Sequence, residues 1–412
     1  MIKPNSRIIR AGLSQGLPSL LTFVSALWLL WQTSLAEFGL YSLLFAITRL
    51  IIAVQAPLIT MPMNVLAKQR FSIDHYADFF NFHTVALGAG LVSSLLIATL
   101  FFPDDLQARS AFMLFVLAQL TREFIKSYFF STHNVESALK LESYTAAVFL
   151  LALIIGHFTF PASLKTVLFA GAIAGLVPAL YWALSHHYLN QHRRRRFKWK
   201  RYLFVWKISK WSLAGAISNE IVARSYNYLV ALFGGYELLG IINFSRQLFA
   251  PLQLLSNSWM QIGIPLMREH YSNSNVSGIL GLRKSSQLVL AACSAAWTAT
   301  IWLALPWISA IVPDGDLSLM GQLTILWGFY YLVEFQLIIY RIEIQVLLWF
   351  RWLFLTELVI AALTIVFTPL VLKLGEPSQL IALGFLLNLF LWTVYYRRFT
   401  KKHNALHHAP NI

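Results

Sequence analysis

The chain contains twelve stretches of about twenty predominantly apolar residues, at 11–32, 38–60, 80–102, 108–131, 144–160, 165–189, 208–233, 237–262, 285–312, 318–340, 345–371 and 378–396. Some twenty residues, at 1.5 Å per helical residue, are enough to cross a hydrocarbon core of about 30 Å. In lipid the backbone N–H and C=O groups must be satisfied within the segment, so each stretch is expected to be helical. Charged residues make up only 12% of the chain, about half the fraction in soluble domains. The expected fold class is therefore all-α, a polytopic membrane protein with about twelve transmembrane helices. The stretch at 144–160, bounded by Glu142 and Pro161, is short and is expected to need its flanks to span.

The net charge of +15 could suggest a nucleic-acid partner, but its distribution reads as topology. With the N-terminus inside, 26 of the 32 Lys and Arg fall at or near the cytoplasmic face, including Arg193 to Arg196 and Arg397 to Lys402. Arg109, Lys165 and Lys373 fall outside, and Arg49, Arg224 and Arg246 lie mid-span. This asymmetry is the positive-inside rule. It predicts a multi-pass protein of the cytoplasmic (inner) membrane with both termini in the cytoplasm, membrane lipid as a partner and no nucleic acid. The basic N-terminus followed by an apolar run resembles a signal peptide. The run is too long and has no convincing cleavage site, so it is kept as the first helix.

The longest polar interruption, His192 to Arg201, leaves six spans on each side. The expected organisation is an N-terminal six-helix lobe (1–190), a basic cytoplasmic linker (191–207), a C-terminal six-helix lobe (208–402) and a cytoplasmic tail (403–412), with a central cavity between the lobes. Residues 10–68 run through Arg10, Glu37, Gly39, Arg49, Pro62 and Lys68; residues 210–268 run through Lys210, Glu237, Gly240, Arg246, Pro265 and Arg268. A shift of about 200 residues throughout suggests parallel repeats. Proline at 18, 178, 251 and 306 falls within the spans and is expected to kink them.

A charge at bilayer depth costs at least about 2.5–3.5 kcal/mol on insertion scales, so intramembrane polar residues are the candidate functional groups. In the eighth span Asn243, Arg246, Ala250, Gln253 and Asn257 follow i, i+3, i+7, i+10 and i+14, which is expected to place them on one stripe along the helix. Glu220 and Arg224 are spaced to pair within a turn. Arg49 has no acid within a turn and needs a partner elsewhere. Structural pairing of these arginines, with Glu334 or Glu357 for example, is one reading. The other is a ligand: arginine matches phosphate with a bidentate fork, and Arg49 with Arg246 would suit a pyrophosphate. The candidate substrate-binding residues are thus Arg49, Arg246, Arg224, Asn243, Gln253 and Asn257, and the candidate ion-coupling residues are Glu220, Glu334 and Glu357.

Enzyme chemistry is poorly served. The outer loops are short, and no phosphate loop or metal-spaced cluster is present. Asp104 and Asp105 read as a solvated turn, and His407 and His408 as part of a disordered tail. The single cysteine, Cys293, excludes an internal disulfide. No cofactor or metal is expected.

Residues 10–70 resemble the opening of the multidrug/oligosaccharidyl-lipid/polysaccharide flippase superfamily, in its polysaccharide-exporting branch. The resemblance rests on the basic N-terminus, Gly12 and Pro18, Glu37-Phe38-Gly39-Leu40-Tyr41-Ser42, Arg49 and the Pro62 to Lys68 close, with an echo at Glu237, Gly240 and Arg246. It implies movement of an undecaprenyl-pyrophosphate-linked oligosaccharide from the inner to the outer leaflet by alternating access, with glycan-assembly proteins as possible partners. Two alternatives stand beside it. A drug/cation antiporter of the same superfamily is expected to carry an acid in the first span, and 11–32 has none. A membrane glycan polymerase or ligase would alter chain length.

Overall fold

The structure is a computed structural model. It describes all residues except 1–5, 67–73, 133, 160–162, 186–198, 310–316, 348, 375–376 and 409–412. The described residues form fourteen α-helices and no strands. They are α1 (Ser6–Gln32), α2 (Leu35–Gln55), α3 (Met61–Leu66), α4 (Asp74–Phe101), α5 (Leu106–Ser131), α6 (Val135–Thr159), α7 (Leu164–Ser185), α8 (Trp199–Phe233), α9 (Gly235–Gln247), α10 (Ala250–Ser272), α11 (Val276–Ser309), α12 (Leu317–Val346), α13 (Phe350–Leu374) and α14 (Pro377–His408). A π-helical turn, Ala56–Thr60, joins α2 to α3. Pro57 in that turn has no N–H to continue the α-helical ladder, and the wider turn accommodates the missing donor.

Taking α2 with α3 and α9 with α10, the fourteen helices make twelve rods, matching the twelve apolar stretches. Eight rods contain an uninterrupted apolar window long enough to span a bilayer. The exceptions are α1, α5, α8 and the α9–α10 rod. In α5 and the last two the cause is polar residues such as Arg122, Glu123, Arg224 and Arg246. The short sixth-stretch neighbour, 144–160, is extended by residues 135–143 into α6, so its flank supplies the missing length. The expected disordered tail is helical as far as His408. No proline or glycine interrupts the sequence between Lys401 and His408, and Pro410 follows.

The chain divides into two compact units, Met1–Glu220 and Ile221–Ile412, with the boundary inside α8. In the first unit α7 packs against α5 and α6. Small residues let the backbones approach: a Cβ on Gly175 would lie 2.8 Å from Ala118 Cβ, and one on Gly171 would lie 2.6 Å from the Phe115 ring. Close contact through small residues is how helices associate where lipid gives no hydrophobic drive.

In the second unit α12 is the hub, packed against α9, α10, α11, α13 and α14. It has the lowest mean hydropathy of the eight apolar rods, 1.4, and 61% of its apolar window is buried. Its polar residues are tolerated because they face protein instead of lipid. Tyr340, Ile344, Tyr395 and Phe399 form the core around its C-terminal half.

Two local features position the site in this unit. Gly235 has φ +81°, a left-handed conformation that glycine adopts without a Cβ clash, and it turns the chain from α8 into α9. The rod then breaks at Leu248 and Phe249. Pro251 therefore does not kink a continuous span; it sits in the first turn of α10, where its missing N–H costs nothing. The Leu248 carbonyl freed by the break accepts from Trp297 Nε1 at 2.9 Å.

Candidate functional site

The second unit holds a cavity of about 60 Å³ lined by Tyr226, Arg246, Trp327, Tyr330, Thr364 and Asn388, among others. That is room for about two waters. Arg246 is the cation in the lining. Its Nη1 donates to the Tyr226 hydroxyl at 2.7 Å. Tyr226 donates in turn to Asn243 Oδ1 at 2.7 Å, and Asn243 Nδ2 donates to Asn227 Oδ1 at 2.8 Å. Asn243 also holds the Leu239 carbonyl, one turn back, at 3.1 Å. A relay of side chains on α8 and α9 thus fixes the arginine. The α8 residues Tyr226 and Asn227 face the α9 residues Asn243 and Arg246 because the turn at Gly235 folds the helices side by side.

Aromatic faces complete the frame. The guanidinium carbon of Arg246 lies 5.5 Å from the centre of the Tyr226 ring and 5.8 Å from that of Trp327, within cation–π range. Trp327 is itself anchored by Nε1 to Ser245 Oγ at 3.0 Å. Among the described residues no carboxylate lies within 4.0 Å of Arg246, and its buried Nε has no hydrogen-bond partner. Two expected structural partners, Glu334 and Glu357, are taken by another residue. Arg341 binds Glu334 at 2.6 Å and Glu357 at 3.0 Å.

These two centres meet at the cavity wall. Asn388 lines the cavity and donates to Glu334 Oε2 at 3.3 Å. Tyr330 feels both Glu334 and Arg246. Two guanidinium groups and two carboxylates therefore share this region, but Arg341 takes both carboxylates and Arg246 takes none. Glu357 Oε2 is buried without a hydrogen bond.

The break in the rod corrects the expected continuous stripe. Asn243 and Arg246 are on α9, while Gln253 and Asn257 are on α10. Gln253 still reaches the site, donating to the Tyr331 hydroxyl at 2.5 Å, and Tyr331 interacts electrostatically with Arg246. The Asn257 side chain lies outside the described residues. The Arg224 carbonyl accepts from Asn227 Nδ2 at 3.2 Å. Glu220 and Arg224 are both engaged in interactions.

Arg49 belongs to the first unit, on α2. No carboxylate lies within 4.0 Å of it among the described residues, but its field acts on Glu123. Glu123 also binds Lys126 at 2.8 Å and Arg122 at 3.4 Å. Glu142 on α6 completes this buried group, 3.5 Å from Lys126. The residues that sequence reasoning missed are Tyr226, Trp327, Tyr330, Arg341 and Asn388. Arg341 stood near a span end, where a cation reads as topology, and the aromatics are indistinguishable in sequence from packing residues.

No protein-family model matches the sequence, and no curated protein matches it. Solved structures do. The chain aligns with a multidrug resistance MATE family transporter of the MOP superfamily in an inward-facing conformation, with TM-score 0.74 and 11% identity over 97% of this chain and 100% of that one. An outward-facing conformation of such a transporter gives TM-score 0.66 and 11% identity over 98% and 96%. A MOP superfamily transporter from Pyrococcus furiosus Vc1, described as having a binding pocket of reverse polarity, gives TM-score 0.57 and 12% identity over 97% and 95%. The chain therefore has the fold of the MATE transporters of the MOP superfamily, solved in both inward- and outward-facing conformations.

Proposed function

We propose that this protein is a flippase that moves an undecaprenyl-pyrophosphate-linked oligosaccharide from the inner to the outer leaflet by alternating access. The observation that carries this reading is Arg246, a fixed cation in a cavity with no carboxylate of its own. A buried charge is normally paired. An arginine held by Tyr226 and two rings, with Nε left over, is preorganised for an anion that arrives from outside the fold, and a pyrophosphate fits its fork. Asn243 and Gln253 hold the frame. Arg49, Arg224 and Asn257 would contribute further contacts to the pyrophosphate or the sugars, whose hydroxyls cannot cross hydrocarbon unsatisfied.

Coupling would use Glu334 and Glu357, two acids sharing Arg341, together with Glu220. An anion bound at Arg246 adds negative charge near this group, and a proton or cation taken up at either carboxylate would offset it. The partners are then the lipid-linked oligosaccharide and membrane lipid, in a cytoplasmic membrane with both termini inside.

A second reading, a drug/cation antiporter, is favoured by the same two carboxylates, since they exceed Arg341 in charge and could receive a cationic substrate. Purified protein in liposomes separates the two. Translocation of a fluorescent pyrophosphate-linked oligosaccharide, without uptake of cationic dyes, supports the flippase. Dye transport without glycan translocation refutes it.

A further inference from the structure

Three apolar spans of the second unit end at one level. The span of α12 closes at Val346, that of α13 opens at Arg351 and that of α14 closes at Thr400. Phe399 stacks on Trp349 at 5.9 Å, which brings the end of α14 beside the α12–α13 connection. This is the depth where hydrocarbon gives way to lipid headgroups and where tryptophan concentrates.

An aromatic ladder runs along this level. Tyr340 stacks on Phe399 at 5.6 Å, Phe399 on Trp349, and Trp349 meets Trp352 edge-on at 6.3 Å. An arginine stands at each end. Arg283, 9% exposed, lies 5.3 Å from the centre of the Tyr340 ring, and Glu343 binds it at 2.5 Å. Arg398 lies 5.5 Å from the centre of the Trp349 ring and 5.3 Å from that of Trp352. It is exposed, and among the described residues no carboxylate lies within 4.0 Å of it. The inner arginine has its counter-ion in the chain, and the outer one does not.

The rings fix how the outer cation can be used. An indole attracts a guanidinium through the face of the ring, so the contact leaves the in-plane N–H donors unspent. Those donors form a fork that matches phosphate. Trp352 packs on Tyr395 at 4.9 Å, and Tyr395 is fully buried, so the cradle is anchored in the core. Arg397, the exposed neighbour in sequence, makes no such ring contact among the described residues.

We infer that Arg398, on its tryptophan cradle, binds the phosphate of an anionic phospholipid. Lipid phosphates are the anions concentrated at this depth. Selection follows from charge: a zwitterionic head brings its own ammonium, which the arginine repels, whereas an anionic head brings the phosphate alone. The site is separate from Arg246 and does not depend on the flippase reading. With both termini inside, as proposed above, the lipid belongs to the cytoplasmic leaflet, the anionic one.

The test uses full-length protein in nanodiscs and phosphatidylglycerol carrying a diazirine on its head. Label is expected in the peptides covering 347–353 and 394–400, competed by unlabelled phosphatidylglycerol and not by phosphatidylcholine with the same chains. Arg398→Gln should reduce labelling there about tenfold, the factor for one hydrogen bond to a charged group. Arg398→Lys, which keeps the charge and loses the fork, should fall between. Arg397→Gln removes the same charge one residue away, leaves the cradle intact and should label like the wild type. Equal loss in Arg397→Gln and Arg398→Gln overturns the inference in favour of a diffuse basic surface. Two results in the wild type alone also overturn it, whatever the variants' stability: equal competition by phosphatidylcholine, or label absent from both peptides. Competition by undecaprenyl pyrophosphate at far lower concentration than by phosphatidylglycerol would assign the site to the transported head and overturn the phospholipid.

Discussion

Arg246 donates to the Tyr226 hydroxyl at 2.7 Å and also lies 5.5 Å from the centre of the same ring. One tyrosine thus holds the cation by its edge and stabilises it by its face. The contact ties α9 to α8 across the Gly235 turn, and it passes to Asn243 and Asn227 through further hydrogen bonds.

Removing that hydroxyl should show. Tyr226→Phe keeps the ring but strands Arg246 Nη1 and Asn243 Oδ1, at a cost of about 1–3 kcal/mol. Thermal unfolding of purified protein in detergent should fall by several degrees, with transport reduced. Unchanged stability and transport would mean that the relay has no energetic role.

The Arg341 centre makes a charge prediction. Arg341→Met leaves Glu334 and Glu357 buried without a cation, which costs about 3–5 kcal/mol for a broken buried pair, so protein abundance should collapse. Adding Glu334→Gln and Glu357→Gln should restore it, because a neutral group no longer needs a counter-charge. If the triple variant is as depleted as the single one, packing matters there more than charge. Restored protein without the pH dependence of transport would assign coupling to these acids.

At the loop between α4 and α5, Asp105 accepts from the Ala108 N–H at 2.9 Å and pairs with Lys165 at 3.0 Å. It is thus a helix cap as well as part of a solvated turn. The Ala108 hydrogen bond, then Lys165, holds its carboxyl below the ordinary aspartate value. A depressed folded-state value gives stability that is full above the unfolded value and is lost as pH falls through the folded one. Acid should therefore destabilise the wild type slightly more than Asp105→Asn, which keeps a capping side chain. The effect is small because the pair is exposed. Identical acid sensitivity in the two proteins would contradict the assignment.

Orientation is tested by single cysteines near Asp104, Asp314, Glu376, Arg195 and Lys401, after Cys293→Ser. The first three should react with an impermeant thiol reagent in intact cells, and the last two should not. Reaction at 195 from outside would reverse the topology.

The helices were legible because lipid demands length and apolarity, which sequence displays directly. The break at Leu248 and Phe249 was less so: Pro251 signalled a disturbance, but kinks and breaks carry the same proline. Arg246 was legible as a buried cation, and its separation from Glu334 and Glu357 was not. Which carboxylate meets which guanidinium depends on how α12 packs against α13 and α14, and among the described residues it is Arg341, seven residues from Glu334 on the same helix, that reaches both acids. Arg49 was expected to need a partner elsewhere, and its electrostatic effect on Glu123, on α5, is a relation that no local spacing could reveal.

The most direct test of the central claim is glycan export by Arg246→Lys, with protein abundance measured alongside. Lysine preserves the charge and loses the fork, and at a bidentate phosphate site that exchange is not conservative. The account predicts normal abundance with export reduced by at least about tenfold, the factor for one lost hydrogen bond to a charged group of about 1.4 kcal/mol. Arg246→Lys present at normal levels and delivering wild-type amounts of glycan to the cell surface would contradict it.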